Sequence, residues 1–241
     1  MLTNQIANCC KELRLSRNIA DLSCKVQAGT NQEYLLKLLR YEVEHRDIAR
    51  QDKLIKSAGF YTLKAFETFQ FDEVTLPAAL TAESLKNLEF IDSKTNLVMY
   101  GNVGTGKSHL SIALGVEACK KRLNVKFFRT SALVNKLAEA KKSGTLSTLM
   151  KQLNKADLLI CDEWGYVPLD RIGAQLLFEV VSECYERKAL IINTNIEFSR
   201  WVNVFYDEQM TGAIIDRLLH HCHLLLFPGP SNRMRESGLS Q

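Results

Sequence analysis

From about residue 80 onward, short runs in which nearly every position is apolar alternate with longer stretches whose apolar residues recur every three or four positions. The runs are NLVMY (96–100), VKFFR (125–129), DLLIC (157–161), ALIINT (189–194) and HLLLF (223–227). Helical spacing predicts helices over AESLKNLEF (82–90), over 108–121, twice within 131–153, over about 171–187, and in segments across 198–220. Strands that are apolar on both faces and alternate with helices predict an α/β fold. Its centre is a parallel five-stranded sheet with helices on both faces.

The first 65 residues have a different texture. Residues 1–28 are polar with scattered apolar positions and support only a weak helical pattern. Thr30 stands three residues before Glu33, the spacing of a capping box, and a long helical stretch follows to the natural stop at Gly59. Tyr34, Leu35, Leu38, Leu39, Ile48, Leu54 and Ile55 form its broken apolar stripe. Lys37, Arg40, His45, Arg46, Arg50, Lys53 and Lys56 populate another face. That face fits a solvated helix surface and a DNA- or partner-binding arm equally, and Arg46 and Arg50 are its candidate DNA contacts. The aromatic connector FETFQFDEV (66–74) is expected to pack on the domain that follows rather than stack on bases. The expected organisation is a small N-terminal helical DNA- or partner-binding region over 1–65 and the α/β domain over 66–241.

Charge and composition narrow the picture further. The net charge of +4 permits a nucleic-acid partner without demanding one. No apolar run reaches the roughly 18 residues of a membrane span. Met1–Cys10 lacks a basic segment leading into an apolar block, so a cytoplasmic protein is expected, with no membrane role. The seven cysteines are irregularly spaced and read as small core residues rather than a disulfide framework. His220-His221-Cys222-His223 is not read as a metal site. Neighbours on a helix point in different directions, and no paired distal ligands are evident.

The candidate chemistry begins at Gly101-Asn102-Val103-Gly104-Thr105-Gly106-Lys107-Ser108, followed by His109. The spacing G-x-x-x-x-G-K-[ST], set between an apolar strand and a helix, is that of a P-loop. Its glycines let backbone N–H groups curl around phosphates, and the next helix points its positive end at them. Lys107 is expected to reach the β- and γ-phosphates of ATP, and Ser108 to ligate Mg²⁺. Roughly 55 residues on, the strand LLIC delivers Asp162 and Glu163. Asp162 is positioned to hold Mg²⁺ and Glu163 to polarise an attacking water. Such a base suits hydrolysis and not a small-molecule kinase, which excludes water. Asn195, at the carboxyl end of ALIINT, is expected to touch the γ-phosphate or orient the water.

The series GNVGTGKSHLSIALG, LLICDEWGYVPLD, LLFEVVSECYERKALIINTN and DRLLHHCH resembles the IstB-like transposition helper ATPases. These are AAA+ P-loop NTPases of the same clade as DnaC-like helicase loaders. The resemblance covers about residues 30–235 and implies ATP hydrolysis at the interfaces of a homo-oligomer, duplex DNA bound with little sequence preference, and a transposase partner. It makes Arg217 the arginine finger offered to a neighbour's nucleotide. The family's closing Ser-Tyr-Arg matches Ser231-Asn232-Arg233, so Arg233 is the expected nucleotide sensor, with Asn in place of Tyr. It also implies that the helical stretch after the second strand faces DNA, through Lys136, Lys141, Lys142, Lys151 and Lys155. A helicase loader of the same clade is the alternative reading, and a P-loop kinase the reading from another class.

Overall fold

A computed structural model of the chain describes residues 2–236. By internal contacts the chain divides after Lys53 into two compact units. In the first, α1 (Leu2–Glu12), α2 (Asn18–Leu22) and the start of α3 (Asn31–Ala58) enclose a small core of Cys10, Ile19 and Leu38. Half of the expected capping box forms: the Thr30 hydroxyl accepts from the Glu33 N–H at 3.2 Å. The Glu33 carboxylate reaches back to the Gly29 N–H instead of that of Thr30. Glu42 is buried because it accepts from the Ser16 N–H at 2.9 Å and pairs with Arg46 at 2.6 Å.

The second unit is built on five parallel strands in the order β2-β3-β4-β1-β5: β1 (Asn96–Gly101), β2 (Val125–Arg129), β3 (Leu158–Trp164), β4 (Ala189–Thr194) and β5 (Cys222–Phe227). All five coincide with the apolar runs. The central strands are apolar throughout because both faces are covered, and alternate residues serve opposite cores. Leu97, Met99, Ile160 and Ile191 face α6 (Lys107–Lys120) and the connector, where Phe66 is buried and Phe69 and Phe71 pack against the same core. Val98, Leu159, Cys161 and Ile192 face α7 (Thr130–Lys142), α8 (Leu146–Asn154), α9 (Arg171–Cys184) and α10 (Glu208–Leu219). α4 (Ala82–Asn87) and α5 (Glu89–Asp92) precede β1, and α11 (Asn232–Glu236) closes the described chain. The start of α9 is fixed by Asp170, which accepts from the Gly173 N–H at 2.7 Å; Asp207 does the same for α10 through Met210, also at 2.7 Å.

Two features at the carboxyl ends of the strands set up the site. β1, which runs into the glycine-rich loop, lies between β4 and β5, while its helix α6 crosses to the edge strand β2. Ligands of parallel sheets bind where such connections diverge. The pairing of β3 with β4 also slips: Cys161 faces Ile192, yet Trp164 faces Thr194. Two residues, Asp162 and Glu163, therefore occupy the space of one in a β-bulge, and Glu163 takes a left-handed φ of 56°. Consecutive strand residues point to opposite faces; the bulge re-aims this pair, leaving Asp162 buried and Glu163 exposed.

Four cysteines, Cys10, Cys119, Cys161 and Cys184, are buried and free; Cys9 and Cys24 are exposed. Among the described residues no helix is long and apolar enough to cross a membrane.

Candidate functional site

The loop between β1 and α6 can bend as it does because its glycines permit it. Gly104 and Gly106 adopt φ of 82° and 101°, in the left-handed region. A Cβ on Gly104 would stand 2.1 Å from the Ser231 hydroxyl, so the closing segment lies directly against the loop. The Asn232 N–H donates to the Gly104 carbonyl at 2.9 Å and holds it there. No side chain caps the first turn of α6, whose N–H groups and dipole are thus available to an anion.

Lys107 folds back over the loop and donates to the carbonyls of Gly101, at 2.7 Å, and Asn102, at 2.6 Å. Burial pushes its ammonium down to about 8, with Arg233 adding to the depression and Asp162 opposing it. Beneath the loop, three donors converge on one oxygen of Asp162. They are the Ser108 hydroxyl at 3.0 Å, the Asn193 amide at 2.9 Å and the Glu163 N–H at 3.0 Å. Among the described residues the other carboxylate oxygen takes no hydrogen bond. A hydroxyl and a carboxylate beside a phosphate cradle are hard oxygen donors, the set that suits Mg²⁺.

A cleft of about 990 Å³ opens above this network. It brings together Val103–His109, Asp162, Glu163, Asn195 and Arg233. Gly101 and Asn102 meet it through the carbonyls that hold Lys107. His109 is taken up by the connector: its Nε2 lies 3.3 Å from the Thr68 hydroxyl, and its ring meets Phe69 edge to face. Burial holds its pKa below the usual histidine value. Asn195 is exposed at the mouth. Arg235, beside Arg233, is paired with Glu73.

Arg217 does not line the cleft of its own chain. It sits on α10, donates to the Ala213 carbonyl at 2.9 Å and lies 4.9 Å over the ring of Phe178 on α9. Lys136, Lys141, Lys142, Lys151 and Lys155 are all exposed on or beside α7 and α8, with Lys136 over the ring of Phe128. In the first unit Arg46 is tied to Glu42 and to the Arg14 carbonyl, while Arg50 is exposed.

Sequence reasoning passed over three residues that the site uses. Asn193, only 1% exposed, braces Asp162 and donates to the Ser111 hydroxyl at 2.8 Å. Thr130 donates to the Asp162 carbonyl at 2.9 Å. Arg129 approaches Glu163 to 3.7 Å. A signal for the first was present: Asn193 is polar inside a strand that otherwise reads as buried, and such a group must find partners.

The family model described as IstB-like ATP binding protein matches residues 10–240. The ATP-binding protein of insertion sequence IS232 from Bacillus thuringiensis subsp. berliner is 33% identical over 85% of this chain and 82% of its own length. That of IS5376 from Geobacillus stearothermophilus is 34% identical over 87% and 83%, and that of IS21 from Pseudomonas aeruginosa 34% over 85% and 77%. Among solved structures, AMPPCP-bound DnaA from Aquifex aeolicus superposes with a TM-score of 0.57 at 23% identity, covering 71% of this chain and 52% of that one. The DnaC helicase loader gives 0.53 at 20% identity, covering 68% and 96%. At such identities these two likenesses speak for the P-loop AAA+ fold alone. With a P-loop cradle in place, a match over nearly the whole length and relatives a third identical across most of both chains, the chain belongs to the IstB-like ATP-binding proteins.

Proposed function

We propose that the chain is a cytoplasmic ATPase that assembles as a homo-oligomer on duplex DNA and serves as a transposition helper, selecting target DNA and recruiting or stimulating a transposase. The observation that carries hydrolysis is the bulge at Asp162-Glu163. It leaves one carboxylate buried against Ser108 and turns the next out into the cleft. A second carboxylate turned into the cleft beside the first supports hydrolysis over nucleotide holding alone.

Each residue then has a task. The Gly101–Gly106 backbone and the start of α6 cradle the phosphates, and Lys107 leaves its carbonyl partners to neutralise them. Ser108 and Asp162 hold Mg²⁺, which when bound supplies positive charge to the phosphate oxygens. Glu163 accepts a proton from the attacking water, Asn195 orients that water, and Arg233 reports the nucleotide from the closing segment. Arg217, turned away from its own cleft, is offered to a neighbour's. The exposed lysines of α7 and α8, with Arg50 and Arg46, supply point charges for phosphate contact without base reading. The transposition setting is supported by relatives whose names place them in insertion sequences.

The test is hydrolysis measured with and without duplex DNA. Glu163→Gln should keep ATP binding, lose about 10²–10⁴ in rate and accumulate DNA-bound oligomer. Hydrolysis at the normal rate in that variant would remove the base assignment. Equal numbers of Glu163→Gln and Arg217→Ala subunits should recover activity relative to Arg217→Ala alone. Failure to recover would remove the shared site.

A further inference from the structure

The stretch His220–His223 was not expected to hold a metal because neighbours on a helix diverge. The structure changes the premise. α10 ends at Leu219 and β5 begins at Cys222, so His220 and His221 occupy the turn between them rather than a helix. The neighbouring turn, between α9 and β4, contains Glu186 at a left-handed φ of 57°. Both turns precede strands, which puts them at the amino end of the sheet, away from the cleft. There one ligand atom each from Glu186, His220 and His221 lies within 4.8 Å of the others, on three exposed side chains.

The surroundings favour an ordered set of ligands. The Tyr185 hydroxyl sits 2.8 Å from Nδ1 of His220, and the rings of His220 and His221 lie 4.2 Å apart, centroid to centroid. A hydrogen bond to one ring nitrogen is what commonly orients a metal-bound imidazole. The distal partner missing from the local sequence pattern is Glu186, brought in by the packing of α10 on α9. His223 does not join; it is a strand residue of β5, paired in register with Leu97.

We propose that Glu186, His220 and His221 form a binding site for a zinc-class divalent cation, completed by water on its open side. Two imidazoles and one carboxylate suit Zn²⁺, Co²⁺ or Ni²⁺, whereas Mg²⁺ asks for oxygen ligands. The two candidate metal sites of the chain therefore differ in kind, one all oxygen beside the phosphate cradle and one mostly nitrogen at the far end of the sheet. An ion here pins the last turns of α9 and α10 together, the helix pair on which Phe178 and Arg217 meet.

The test uses untagged full-length protein in which the exposed Cys9 and Cys24 are replaced by serine, with Mg²⁺ present throughout. Zn²⁺ is titrated by calorimetry, and Co²⁺ is followed by its visible spectrum. We expect one Zn²⁺ per chain, a rise in melting temperature on its addition, and a Co²⁺ spectrum without a thiolate charge-transfer band. Affinity should fall roughly 10-fold or more in Glu186→Gln, His220→Ala and His221→Ala, and stay unchanged in His223→Ala. Absence of Zn²⁺ binding overturns the proposal. So does equal affinity in the unsubstituted background and in His220→Ala/His221→Ala, or a loss confined to His223→Ala.

Discussion

Asn193 and Asn195 lie two residues apart at one strand end, the first buried against Asp162 and the second exposed, and on the proposed reading their duties differ. Asn193→Ala removes the amide that donates to Asp162 at 2.9 Å and to Ser111 at 2.8 Å. A hydrogen bond to a charged partner contributes about 1.5–3 kcal/mol and a neutral one about 1 kcal/mol. One gain offsets part of this: the Asn193 carbonyl oxygen is buried without a partner, and deleting it relieves about 1 kcal/mol or more of desolvation. The net loss is about 1.5–3 kcal/mol, which for a domain of this size lowers the melting temperature by roughly 3–12 °C.

Asn195→Ala should behave otherwise. The residue is exposed, so its removal should cost within about 0.5 kcal/mol, while slowing hydrolysis with ATP affinity retained. Thermal melts and steady-state hydrolysis of the two variants, run side by side, separate the roles. A melting temperature for Asn193→Ala within about 1 °C of the parent, or an equal drop in both variants, would refute the reasoning that the buried amide braces Asp162.

Other outcomes follow from the same geometry. With Lys107 held at about 8, roughly nine tenths of the free protein carries it neutral at pH 9, and only about a tenth at pH 7. Phosphate binding needs the cation, so ATP binding should weaken above pH 8 and take up close to one proton at pH 9; calorimetry in buffers of different ionisation heat reads this, and the same uptake in Lys107→Met contradicts it. Gly104→Ala would set a Cβ 2.1 Å from the Ser231 hydroxyl at a φ of 82°, costing about 1–2 kcal/mol from the backbone alone. ATP affinity should fall, and Ser231→Gly should restore part of it; no restoration means that the closing segment is not what the methyl displaces. Lys141→Glu/Lys142→Glu should flatten the slope of log affinity for duplex DNA against log salt by about 2, and an unchanged slope removes those lysines from the DNA face.

The strands and the cradle were legible because each is encoded by neighbours in sequence. An all-apolar run means a strand covered on both faces, and G-x-x-x-x-G-K-S between a strand and a helix has few other uses. What escaped was encoded between elements. The bulge at Asp162-Glu163 exists only as a slip of β3 against β4, which no pattern within β3 reveals. Asn193 reads as one polar letter in a strand until its partners Asp162 and Ser111 are brought to it from β3 and α6. His220 falls at the end of a helical stretch in the sequence, and Glu186, more than thirty residues earlier, is a neighbour of His220 and His221 only because α9 packs on α10. At Glu33 the letters of a capping box were right, and one of the two bonds went to the residue next door.

The charges around the cleft bear on why Arg217 lies elsewhere. Lys64, Lys107, Arg233 and Arg235 line it, against Asp72, Glu73, Asp162 and Glu163, four cations to four anions. Arg235 is committed to Glu73 and the Lys107 ammonium is buried, its proton more easily lost than usual. Such a cleft can hold a magnesium-bound triphosphate through backbone N–H groups and the dipole of α6, whose contacts suit ground state and transition state alike. Lys64 and Arg233 are the cations left for the oxygens on which charge gathers as the terminal phosphate transfers, and only interactions stronger in the transition state accelerate the step. A cation from outside adds to them on the proposed reading, and arginine fingers supplied in trans are worth about 10³–10⁵ in rate. On the proposed reading, an isolated subunit binds ATP and hydrolyses it slowly. Assembly on DNA then sets the hydrolysis rate, because assembly is what brings a neighbour's Arg217 to the site.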